Sequence, residues 1–147
     1  MNAPSTAGAL RPLRDDMFFA DEHGAPVALL GKRCLDCERV FFPPRAICSH
    51  CALDGRLVPH RMSSQGVIHA STVARVPSAM GHAAPYAYGY VDLPTDGVRI
   101  FAPFSGAPVE SFVPGLKVRL ALGEIPAESL QGVLGYSFVR DIEATHG

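Results

Sequence analysis

The chain has 147 residues, 48% of them apolar and 18% charged, with a formal net charge of −1. That balance suits one domain, or a small module joined to one, with apolar surface to spare, and it argues against a long disordered chain. Near-neutrality argues against a general nucleic-acid binder, and no apolar run approaches the roughly 18 residues of a membrane span.

The N-terminus lacks the basic and apolar regions of a secretory signal, so the expected location is the cytoplasm. Residues 1 to 9 are small and polar. From Leu10 the chain mixes Leu13, Met17 and Phe18 at helical spacing with charges between them, which predicts a short amphipathic helix starting near Pro12 and ending before Gly24. Residues 1–26 thus read as an arm whose helix needs a surface to lie on.

Val27 to Arg33 reads as a strand running into Cys34 and Cys37. Val40 to Phe42 leaves the pair as a second strand, stopped by Pro43 and Pro44 before Cys48 and Cys51. Strand, CxxC, strand, CxxC is the outline of a zinc ribbon, here over residues 27–56. Further strands are predicted at Leu57 to Met62, Gly66 to Val76, Tyr86 to Leu93, Val98 to Phe104, Lys117 to Gly123 and Val133 to Arg140. Pro77 to Pro85 is a loop and Pro94 to Gly97 a turn. Residues 57–147 therefore suit a five-stranded barrel of the OB type, and the whole chain is mainly β.

Two CxxC knuckles can bring Cys34, Cys37, Cys48 and Cys51 to one tetrahedral S₄ shell, the geometry Zn²⁺ accepts, and a shell filled by protein makes the ion structural. Two disulfides would use the same four residues, and iron of the rubredoxin kind would use the same ligands; a reducing cytosol disfavours the first. Rubredoxin knuckles usually carry Gly after the second cysteine, whereas Glu38 and Ala52 stand there. His50, two after Cys48, is expected to point away from the metal. Lys32, Arg33, Arg39 and Arg45 offset the negative thiolate shell, or alternatively receive a phosphate-bearing ligand.

Gly31 to Cys37, Phe42-Pro43-Pro44-Arg45, Cys48 to Cys51, the Gly66-led strand with Ser71-Thr72-Val73, and Pro85-Tyr86 opening a strand that ends Val91-Asp92-Leu93 together resemble a family of zinc-ribbon plus OB-fold proteins linked to acyl-CoA metabolism. The likeness runs from about residue 10 to residue 140 and departs from the pattern at Glu38. It implies a helical arm, a rubredoxin-like ribbon and an OB barrel. Family members are non-catalytic partners of thiolase-fold enzymes, or of hydratases and aldolases in steroid side-chain degradation. The small subunit of benzoylsuccinyl-CoA thiolase, from anaerobic toluene degradation, is similar in layout.

The implied function is an accessory subunit of a thiolase-type enzyme, two copies of each chain forming a heterotetramer with acyl-CoA at or near the interface and the apolar arm and ribbon supplying much of the contact. With zinc bound the chain keeps no thiol for nucleophilic catalysis. No catalytic residue is assigned: His23, His50, His60, His69, His82 and His146 show no motif spacing, and Asp15, Asp16, Asp21 and Glu22 read as a solvated face. The alternative is a single-strand nucleic-acid-binding OB fold, with Tyr86, Tyr88, Tyr90, Phe101 and Phe104 stacking bases beside Arg75, Arg99, Lys117 and Arg119. Those cations are too scattered for a groove. A lone acyl-CoA binder is a third possibility, for which no phosphate-cradling glycine loop is present.

Overall fold

The computed structural model describes residues 10–142, apart from residues 13, 15 and 53–55. Ten strands follow in order: β1 Arg11–Pro12, β2 Phe18–Ala20, β3 Pro26–Cys34, β4 Val40–Phe41, β5 Leu57–Arg61, β6 Gln65–Ala74, β7 Tyr86–Leu93, β8 Val98–Phe104, β9 Lys117–Glu124 and β10 Val133–Arg140. From β3 onward the order of elements is the one expected, with boundaries differing by a residue or two.

Five strands close into a barrel in the order β6, β7, β8, β10, β9 and back to β6. The chain enters β6 at Gln65–Val67, where it pairs with β9, and continues through Val67–Ala74 along β7. An irregularity between Ile68 and Ala70 lets one strand serve both neighbours, because a bulge bends and twists the strand that carries it. Closure is completed by the parallel contact of β8 with β10 at Phe104 and Phe138, which leaves the Val133 end of β10 an edge that β1 takes up.

Strand β7 has the period of two read from the sequence: Ala87, Gly89, Val91 and Leu93 are buried while Tyr86, Tyr88 and Tyr90 face outward. Gly89 has a steric reason, since a Cβ there would lie 2.0 Å from the Ala70 carbonyl oxygen. The barrel is filled by Phe138, Ile68, Val91, Leu93 and Val118. A 3₁₀ turn at Val109–Ser111 sends Phe112 inward to stack on Phe104 at 5.1 Å.

The second sheet is built around β3, with β2 and β4 successively along one edge and β5 along the other. Its base shares the barrel's core, for Leu29 of β3 and Met62 just after β5 belong to one cluster with Ile68, Val91 and Phe138.

The helical arm is corrected. Arg11 and Pro12 lie parallel to Val133 and Leu134 of β10, and Phe18–Ala20 pair with β3; Leu13 and Asp15 lie outside the described residues. A helix of so few residues is marginal because its nucleation cost is spread over few hydrogen bonds, whereas two existing strand edges offer the same backbone groups ready partners. The arm is not a free apolar face either: Met17 is buried, Phe18 packs on the core, and the Arg61 guanidinium covers Phe19 at 5.5 Å.

Candidate metal centre

Strand β3 delivers Cys34 buried at its end, and its N–H donates to the Arg39 carbonyl, 2.9 Å. The chain then reverses: Glu38 N–H donates to the Cys34 carbonyl at 2.7 Å, with Glu38 at φ 66°. The second knuckle repeats the design, Ala52 N–H donating to the Cys48 carbonyl at 2.9 Å with φ 59°. Both residues occupy the left-handed region that glycine enters most easily. The two turns thus have the conformation of glycine-bearing knuckles without the glycines, so the departure at Glu38 is one of residue type and not of backbone.

The turns aim four sulfurs at one point. Cys34 and Cys51 Sγ lie 3.9 Å apart, Cys37 and Cys48 Sγ 3.6 Å apart, and all four within 4.8 Å of one another. A Zn–S bond of about 2.3 Å in a tetrahedron sets sulfurs about 3.8 Å apart, so the donor set and its spacing fit that ion. No two sulfurs are bonded. The Cys51 N–H points at Cys48 Sγ, 3.3 Å, and as a thiol Cys48 is lowered to about 7 by that donor, while burial and the Cys48 thiol push Cys51 up to about 12. Amide donors at sulfur favour the thiolate a metal needs.

Two of the four cations named around the cysteines have partners of their own. Arg33 pairs with Glu38 at 3.8 Å, and the Arg45 guanidinium lies over the Phe41 ring at 4.7 Å. Arg56 binds Asp36 and holds its carboxyl below the usual range. His50 is exposed, as expected. Among the described residues, the four cysteines are the only group of three or more His, Cys, Asp or Glu side chains whose ligand atoms converge; His146 lies outside those residues.

One polar site escaped the sequence reading. Asp96, in the turn after β7, has a side chain only 2% exposed; it accepts the Ser63 N–H at 2.8 Å and meets His60 Nε2 of β5 at 2.8 Å. The partners are 33 and 36 residues away, beyond any local pattern. The cations of the base-stacking alternative are dispersed: Arg75 is exposed just past β6, whose last residue pairs with Tyr86, and of the stacking candidates Phe104 is buried. Arg99 is held by Asp92, Nε to Oδ1 2.6 Å, and Lys117 and Arg119 stand on β9, across β6 from the tyrosines.

Residues 23–58 match the model of the ChsH2 rubredoxin-like zinc ribbon domain, and residues 59–123 that of the ChsH2 C-terminal OB-fold domain. The chain belongs to this family of zinc-ribbon and OB-fold proteins. A DUF35 domain-containing scaffold protein of Methanothermobacter thermautotrophicus is 32% identical over 75% of this chain and 83% of its own. Benzoylsuccinyl-CoA thiolase subunit BbsA of Thauera aromatica is 33% identical over 75% of this chain and 74% of its own. Among solved structures, the Ltp2-ChsH2(DUF35) aldolase shares the fold, with a TM-score of 0.63 at 24% identity over 77% of this chain and 84% of the other.

Proposed function

We propose that this protein is a non-catalytic accessory subunit of a thiolase-type acyl-CoA enzyme, acting in the cytoplasm, in which Cys34, Cys37, Cys48 and Cys51 hold one structural Zn²⁺. The observation that carries the reading is the convergence of all four cysteines in one shell. An ion held there would take every thiol of the chain and every coordination position, and the ion's contribution is to hold β3, β4 and β5 together. No nucleophile of the thiolase kind then remains, so condensation or thiolysis belongs to the partner.

The curated relatives support the choice of partner, since two of them are named as a thiolase subunit and as a scaffold protein. In the finer reading, two copies of this chain join a thiolase-fold dimer as a heterotetramer, with acyl-CoA at or near the interface; a benzoylsuccinyl-CoA thiolase is the specific partner we favour. The arm at 1–26, the ribbon at 27–56 and the barrel at 57–147 are the working division, with β5 at the start of the last segment paired to the ribbon's β3.

Affinity-tagged chain, purified from its native host and analysed by mass spectrometry, tests this. A thiolase-fold enzyme should co-purify in equal amount, and acyl-CoA thiolysis should appear in the complex and not in the chain alone. Turnover by the isolated chain, or recovery without any thiolase-fold protein, would overturn the proposal.

A further inference from the structure

The outer face of β7 and β8 carries a continuous run of aromatic rings. His82 lies 5.5 Å from Tyr86, Tyr86 5.9 Å from Tyr88, Tyr88 5.5 Å from Phe101, and Phe101 5.7 Å from Tyr90. Tyr90 and Phe101 stand opposite one another in the ladder and are 47% and 51% exposed. Among the described residues the hydroxyls of Tyr86, Tyr88 and Tyr90 have no hydrogen-bond partner, whereas the Tyr136 hydroxyl donates to the Phe101 carbonyl at 2.6 Å.

We infer that this aromatic face, and not the arm, is where the thiolase-type partner docks. The inference rests on the function proposed above and names the surface that serves it. Three observations favour a protein occupant. First, the described apolar residues of the arm are covered by the chain itself: Met17 is buried, Phe18 packs on the core, and Arg61 covers Phe19; in the ribbon Phe42 packs on the core and Arg45 covers Phe41, while Leu35 and Ile47 stay exposed as separate side chains.

Second, size and rigidity suit an interface. Tyr90 and Phe101 leave roughly 200 Å² exposed, taking about half of side chains of some 150–250 Å² each. With the half-buried Tyr86 and Tyr88 this is a substantial part of the roughly 800 Å² that one partner contributes to a stable interface. Rings already packed against one another, tilted or edge to face, lose little freedom on binding, and tyrosines are prominent in the energy of such contacts.

Third, charge selects the class of partner. The pair Asp92 and Arg99 stands directly across the ladder at the far end and neutralises itself. A face of aromatic rings with free hydroxyls, with Arg75 exposed just past its Tyr86 end, fits an apolar protein surface that presents carbonyl acceptors. It does not fit a phosphate backbone, which demands several clustered unpaired cations.

The test expresses tagged wild-type, Phe101→Glu, Tyr90→Ala and Val113→Glu chains in the native host and quantifies the recovered thiolase-fold enzyme. Val113 is exposed on the connection between β8 and β9 and serves as the control. The two aromatic variants should lose at least tenfold in recovered enzyme, with zinc content and melting temperature unchanged, while Val113→Glu retains it. Equal recovery by Phe101→Glu and wild type would overturn the docking face and leave the accessory function standing. Absence of a thiolase-fold enzyme from the wild-type sample would overturn both. A salt-dependent gel shift of single-stranded DNA abolished by Phe101→Glu would assign the face to nucleic acid and likewise overturn the inference.

Discussion

Ala52 and Glu38 close the two knuckles from the left-handed region, at φ 59° and 66°. For an L residue with a Cβ that region costs about 1–2 kcal/mol, partly offset by the freedom that glycine would lose on folding. Ala52→Gly is therefore expected to stabilise the ribbon by about 0.5–1 kcal/mol, read as a higher melting temperature and slower loss of metal to a chelator. Ala52→Val, β-branched and less able to enter this region, should move both readings the other way. A melting temperature unchanged by either substitution would mean that the second knuckle contributes nothing to the stability of the fold. The arginine beside Glu38 changes this little, because an exposed ion pair is worth at most about 1 kcal/mol.

Among the elements, the first two strands and the turn after β7 tie the molecule together. The Met17 carbonyl oxygen accepts the Leu30 N–H at 2.8 Å and the Met17 side chain is buried, so Met17→Ala should cost about 2–4 kcal/mol. Chemical denaturation measures this directly, and a loss under about 0.5 kcal/mol, the range of ordinary surface changes, would put Met17 at the surface. Asp96 joins β5 to the barrel's β7–β8 turn. Asp96→Ala would leave the Ser63 N–H and the His60 ring without their partner, at a cost of about 1–3 kcal/mol. Asp96→Asn keeps an acceptor for Ser63 and should recover most of that loss; equal destabilisation by both variants would assign the effect to the contact with His60 instead.

For the whole molecule, ribbon and barrel share a core through Leu29 and Met62, so the metal should stabilise more than the ribbon. Elemental analysis should find about one Zn²⁺ per chain, the stoichiometry of a closed S₄ site. Removing it with a chelator, or replacing Cys48 by Ser, should lower the melting temperature of the barrel while leaving most β signal, since the barrel is closed by its own strands. A barrel transition that ignores zinc would show that the shared core does not couple the two parts. Native material containing iron in place of zinc would change the identity of the ion without moving its ligands.

The sequence by itself determined the features whose cause is local. The CxxC spacing named the four sulfurs, alternation placed Tyr86, Tyr88 and Tyr90 on one face of a strand, and proline and glycine marked the turns, because each depends on neighbours within a few residues. Tertiary structure decided what depends on distant partners. The helical spacing at Met17 and Phe18 yielded to pairing with β3. Glu38 and Ala52 took glycine's conformation because four sulfurs must meet at one point. Asp96 became a buried acceptor through residues more than thirty positions away. A short segment's own preference is worth a few tenths of a kcal/mol per residue, and strand edges and burial supplied by the rest of the chain outweigh it.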